Sequence, residues 1–164
     1  MKWLKRILLA LVVGFGLIQA WPYGRAHTNP PGRVEPAWSS PAVRALAVRA
    51  CFDCHSNESR WPWYSHVAPM SWLVQKDVDE ARENLNFSEW DKPQRKAKDA
   101  ADEVEEGEMP PALYLPLHAE AKLSAAEKAE LVAGLKALAP KGDDGARKDD
   151  GGRRGGDGKD DAGR

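Results

Sequence analysis

The most constraining feature of the sequence is the stretch "CFDCH" at residues 51–55, which holds the only two cysteines of the chain, three positions apart, with a histidine directly after the second. Any fold for this chain must deliver two sulfurs and an imidazole from a single turn. Three chemistries use such a pattern: a redox dithiol, half of a metal site, and covalent attachment of a haem. A thioredoxin-like dithiol needs its thiols at a helix N-terminus, usually in a βαβ context. Structural zinc usually takes four ligands, and there is no second cysteine pair to complete the set. In haem attachment the two thiols form thioethers with the porphyrin vinyl groups, and the adjacent histidine is delivered to the iron.

The flanking sequence weighs between these options. In "SSPAVRALAVRA", Ser40 is the expected N-cap and Pro41 the first helical residue, with Val43, Leu46, Ala47 and Ala50 recurring at helical spacing. The helix runs into Cys51, so the motif stands at a helix C-terminus, the wrong end for an activated dithiol. A second helix is expected in "APMSWLVQKDVDEARENL", with the stripe Met70, Val74, Val78, Ala81 and Leu85. A third, at about 93–106, turns Ala97, Ala100, Ala101 and Val104 inward and ends at Gly107. The last opens with capping-box spacing at Ser124 and Glu127 and carries Leu131, Leu135 and Leu138. No alternating apolar run suggests a sheet. The expected fold is all-α, a small cytochrome c-like helical domain over residues 40–139. Its inner faces are rich in Ala and Val, which leaves room for a large apolar group at the centre.

The two ends differ from this domain. Residues 1–23 place Lys2, Lys5 and Arg6 before the apolar run Ile7–Ile18, the layout of an export signal. Trp3, Trp21 and Tyr23 bracket that run as interfacial aromatics do, so a transmembrane signal anchor is favoured over a cleaved signal peptide. The basic front places the N-terminus in the cytoplasm and the rest in the periplasm of a bacterial inner membrane. Residues 24–39 are Pro-rich and read as an extended spacer. Residues 140–164, dominated by Gly, Asp, Arg and Lys, read as a disordered tail. The formal net charge of −1 hides a middle segment, 41–139, with twelve Lys/Arg against seventeen Asp/Glu. That acidity argues against nucleic acid as a partner.

With His55 as the proximal iron ligand, the opposite position has four candidates: Met70, Met109, His66 and His118. Met70 falls on an apolar stripe and reads as packing, and the two histidines read as surface or capping residues. Met109 lies in "EEGEMPPALY", where Pro110 and Pro111 stiffen the loop that would present its thioether. Methionine opposite histidine raises the reduction potential relative to two histidines and leaves no open position for substrate, which favours electron transfer over catalysis. The acidic stretch 102–108 before it suits either a solvated face or the steering of a basic partner.

The run "CFDCHSNESRWPWYSHVAPMSWLVQKDVDEARENLNFSEW", followed by "EEGEMPP" and "HAEAKLSAAEKAELVAGL", resembles the bacterial haem-binding domain family with a C-x-x-C-H motif, over roughly residues 20–139. The resemblance implies a small c-type cytochrome-like domain with one covalently attached haem c, usually behind an N-terminal hydrophobic anchor. It implies Cys51 and Cys54 as thioether cysteines, His55 as proximal ligand, and Met109 as distal ligand on the family's G-E-M-P-P segment. Trp61, Trp63 and Tyr64 also match, as core and pocket wall. The expectation is a membrane-attached electron carrier with an unidentified redox partner protein, not an enzyme. Two alternatives stay open: a haem enzyme or gas sensor with an open iron site, and a non-redox haem-binding module.

Overall fold

The structure, a computed structural model, describes residues 1–31 and 34–139. The tail expected at 140–164 lies outside the described residues. Among the described residues six helices follow in order: α1 (Lys2–Ile18), α2 (Pro41–Ala50), α3 (Phe52–His55), α4 (Met70–Asn84), α5 (Ala100–Glu106) and α6 (Ala125–Leu138), with 3₁₀ turns at Trp63–His66 and Ala119–Ala121. Among the described residues the one β pairing is an isolated parallel bridge between Val34 and Glu89. The all-α expectation holds.

Local signals account for three of the helix ends. The Ser40 hydroxyl accepts the Val43 N–H at 3.1 Å ahead of Pro41. At α6, Ser124 and Glu127 close a full capping box. Gly107 ends α5 in the left-handed conformation, φ 87°. The third helix is shorter than expected: it begins at Ala100, and residues 95–99 form turns instead. Tertiary bonds hold that segment in place, including Lys96 N–H on the Asn84 carbonyl at 3.0 Å.

The expected transmembrane anchor is corrected. Among the described residues no helix is long and apolar enough to cross a membrane. α1 has 17 residues, about 25 Å at 1.5 Å per residue, against a hydrocarbon core of ~30 Å. Its first turns carry Lys2, Lys5 and Arg6. It stops at Ile18, well before Tyr23, because Gln19 turns onto the domain: its side chain donates to the Ala68 carbonyl at 2.9 Å and accepts the Ala68 N–H at 3.0 Å. None of the residues of α1 is buried, and its Leu, Val and Phe side chains and Ile7 stand exposed.

The core is not as thin as the helical faces imply. Val43, Leu46 and Ala47 of α2 pack with Ala101 and Val104 of α5 and Leu131, Val132 and Leu135 of α6. The bulk comes from outside these helices. Phe52 stacks on Phe87 at 5.7 Å, Phe87 stacks on Trp90 at 5.9 Å, and Trp38 leans on Phe87 at 5.2 Å. Trp38 belongs to the Pro-rich segment, which lies against the domain: Val34 N–H donates to the Ser88 carbonyl and Trp90 N–H to the Val34 carbonyl. At Gly134 a Cβ would stand 2.4 Å from Val43 Cγ1, so α6 approaches α2 at a distance only glycine permits. On α4 the buried residues are Ser71, Gln75 and Val78, not the full stripe through Met70 and Val74. Met70 is 40% exposed, which corrects its reading as a packing residue.

Candidate functional site: the C-x-x-C-H turn and the cleft beside it

Cys51 is the C-cap of α2, its N–H on the Ala47 carbonyl at 2.8 Å, and the chain at once starts a new turn. Cys54 and His55 N–H groups both donate to the Cys51 carbonyl, at 3.2 and 2.9 Å. The two thiols and the imidazole therefore come from one turn of backbone. Phe52, fully buried, anchors the turn in the core. Behind it Ser56 donates to the Phe52 carbonyl at 2.7 Å.

The segment 85–89 grips the histidine. Phe87 N–H donates to the His55 carbonyl at 2.8 Å, and His55 Nδ1 donates to the Leu85 carbonyl at 3.0 Å. A carbonyl can only accept, so the ring proton sits on Nδ1 and the Nε2 lone pair is left for a metal. Burial lowers the His55 pKa and keeps the ring neutral. A buried polar network fixes the segment: Asn86 Nδ2 donates to Asn57 Oδ1 at 2.9 Å, Ser88 N–H to Asn86 Oδ1 at 2.9 Å, and Asn57 N–H to Ser88 Oγ at 3.0 Å. Sequence reasoning missed this network. Its only trace is "LNFSEW", where polar residues alternate with apolar ones.

Both cysteines are free thiols. Burial, then the neighbouring Cys54, pushes the Cys51 thiol up to about 12. Burial, then Asp53, pushes Cys54 up to about 11. A catalytic dithiol needs a thiolate at neutral pH, and these groups are neutral there. Among the described residues no group of three His, Cys, Asp or Glu side chains is placed to hold a metal ion.

A small cleft of about 60 Å³ opens beside Cys54, lined among others by Trp61, Tyr64, Val78, Tyr114 and His118. Its rim is cross-linked. Arg60 holds Asp53 with two bonds, Nε to Oδ1 at 2.9 Å and Nη2 to Oδ2 at 3.0 Å, and Tyr114 donates its hydroxyl to Asp53 Oδ2 at 2.8 Å. Burial, then this bond, raises the Tyr114 pKa and keeps the phenol a donor. The Tyr114 ring stacks on His118 at 3.8 Å, and His118 Nε2 meets the Tyr64 hydroxyl at 2.7 Å.

The alternatives for the second iron ligand are sorted by their surroundings. His118 is 8% exposed, not a surface residue, and both ring nitrogens have partners: Tyr64 on Nε2 and Glu120 Oε1 3.4 Å from Nδ1. His66 is exposed and lies edge-on to His27, ring centroids 4.4 Å apart, away from the cleft lining. Met109 is 37% exposed at the start of the loop that supplies Tyr114 and His118. It is not among the residues lining the cleft. Of the aromatic triplet, Trp61 and Tyr64 wall the cleft, whereas Trp63 is 77% exposed and serves neither core nor wall.

Residues 13–137 match a family model described as a haem-binding domain. The chain belongs to the haem-binding domain family. No curated protein and no solved structure matches it. The residues present fit the group that gives the family its name: two free thiols on one turn, an imidazole with its metal-facing nitrogen unprotonated, and a cleft with the apolar walls Val74 and Val78 beside Cys54. Haem, when bound, supplies a one-electron iron couple whose potential follows the axial ligands and the burial of the site. The protein's own part is to hold His55 in one tautomer and to line the cleft with Trp61 and the Tyr114–His118 stack.

Proposed function

We propose that this haem-binding domain carries a single haem c, joined through thioethers to Cys51 and Cys54, and transfers electrons through it. The observation that carries this reading is the C-x-x-C-H turn itself, with free thiols on one turn and His55 Nδ1 committed to the Leu85 carbonyl. In attachment each thiol S–H adds across one vinyl group, the sulfur bonding to carbon and the proton passing to the other vinyl carbon. His55 Nε2 is the proximal ligand. Met109 is the distal ligand: it starts the loop that brings Tyr114 and His118 to the cleft, whereas His118 itself is already partnered at both nitrogens. With both axial positions filled, the iron has no site for substrate, so the protein is an electron carrier, not an enzyme. Electrons pass through the haem edge near the thioethers to a redox partner protein.

The location follows from the N-terminus. Basic residues ahead of an exposed apolar helix direct export, and the uncovered apolar surface of α1 associates with the membrane, holding the haem domain on the periplasmic side.

The deciding experiment is expression with export and haem-maturation machinery, followed by a pyridine haemochrome assay on the denatured protein. A two-thioether spectrum is expected, together with the Met-to-iron charge-transfer band in the native ferric protein. Absence of covalent haem defeats the reading. Carbon monoxide binding to the untreated reduced protein would instead support the open-site enzyme or gas sensor.

A further inference from the structure

The loop that carries Met109 is tied down at two points. At its start, Glu108 and Met109 N–H groups both donate to the Glu103 carbonyl, at 3.0 and 3.1 Å. At its end, Tyr114 donates to Asp53 at 2.8 Å, and its ring lies flat on His118, which Tyr64 holds in turn. Between the ties stand Pro110 and Pro111, with φ set by their rings. Tyr114 follows Met109 by only five positions, so the hold at one is felt at the other.

The acceptor of the second tie belongs to the attachment motif: Asp53 lies between Cys51 and Cys54. Its side chain is 11% exposed and fixed by two bonds from Arg60, which makes it a rigid anchor. The Tyr114–Asp53 bond therefore joins the C-x-x-C-H turn to the loop that begins at Met109, across 61 residues of chain.

We propose that Tyr114 is a positioning residue for the sixth iron ligand: by docking the 107–118 segment on Asp53, it sets where the Met109 sulfur meets the iron. This rests on the reading of Met109 as that ligand. A loop ordered before the iron arrives loses little freedom when its thioether binds, so the bond strengthens ligation without touching the iron. His118 and Tyr64 support the ring from behind.

The test uses competition in the ferric holoprotein. Added imidazole displaces the methionine, so its dissociation constant reads how firmly the thioether is held. Tyr114→Phe keeps the ring and its stack and removes only the bond to Asp53. It is expected to tighten imidazole binding about tenfold, the equivalent of one hydrogen bond to a charged group, with both thioethers intact. Tyr64→Phe shifts the constant in the same direction by less. Leu113→Ala, altering a 91% exposed residue of the same loop, leaves it unchanged. A wild-type Met-to-iron band combined with unaltered imidazole affinity in Tyr114→Phe overturns this inference alone. Should Tyr114→Phe yield no holoprotein, Tyr64→Phe carries the same comparison, and unaltered affinity there overturns it equally. Absence of the band from the wild type overturns the Met109 reading, and this inference with it.

Discussion

The Leu85 carbonyl accepts the Nδ1 proton of His55 at 3.0 Å, and this one bond fixes the tautomer and leaves Nε2 unprotonated. Leu85 is the C-cap of α4, so the end of one helix orients the ligand at the end of another. His55→Ala is expected to retain both thioethers and lose the low-spin ferric spectrum. A pyridine haemochrome beside a native absorption spectrum separates the two effects, and a low-spin native spectrum would remove His55 from the iron.

On the proposed reading each cysteine would contribute one thioether. Cys51→Ser and Cys54→Ser are each expected to leave one vinyl group conjugated with the macrocycle. Their pyridine haemochromes then fall between the two-thioether and free-haem positions. The double variant should release its haem to acidified organic solvent, which is read as colour in the extract.

The polar network behind His55 is a structural expense as well as a support. Asn86→Ala leaves Asn57 Oδ1 and the Ser88 N–H without their partners in a buried setting. A loss of about 1–3 kcal/mol in unfolding free energy is expected, measured by urea denaturation. A change within experimental error would mean that water replaces the lost amide.

The close approach of α2 and α6 at Gly134 predicts a specific intolerance. Gly134→Ala puts a methyl group 2.4 Å from Val43 Cγ1, and the expected destabilisation is about 1–3 kcal/mol. Val43→Ala in the same chain should relieve part of it, so the double variant loses less than the sum of the two single changes. Strict additivity in urea unfolding would show that the contact is not the cause.

Acid sensitivity should trace in part to Glu127. The Ser124 backbone N–H, then Arg49, then the Ser124 hydroxyl, hold its carboxyl down to about 2, from an ordinary 4.5. A depressed folded-state pKa gives stability that is complete above about 4.5 and is lost as pH falls toward about 2. The wild type should therefore lose stability more steeply than Glu127→Gln across that window. Parallel slopes in the two proteins would assign acid lability elsewhere.

The parts of the fold that a few consecutive residues control were legible in the sequence: the Ser40–Pro41 start of α2, the Ser124–Glu127 box of α6, the Gly107 stop and the C-x-x-C-H turn itself. Each is an interaction within one helical turn, so the chain order alone carries it. Tertiary structure decided what remained. The aromatic core draws Trp38, Phe52 and the Phe87–Trp90 pair from three separate segments. The length of α1 ends where Gln19 finds the Ala68 backbone, and α5 starts late because Lys96 is held by Asn84. The Tyr114–Asp53 bond spans 61 residues, and neither residue carries a local sign of the other. Periodicity reports which face of an element is apolar. Which distant donor meets which acceptor depends on how the helices are brought together, and only the folded chain determines that.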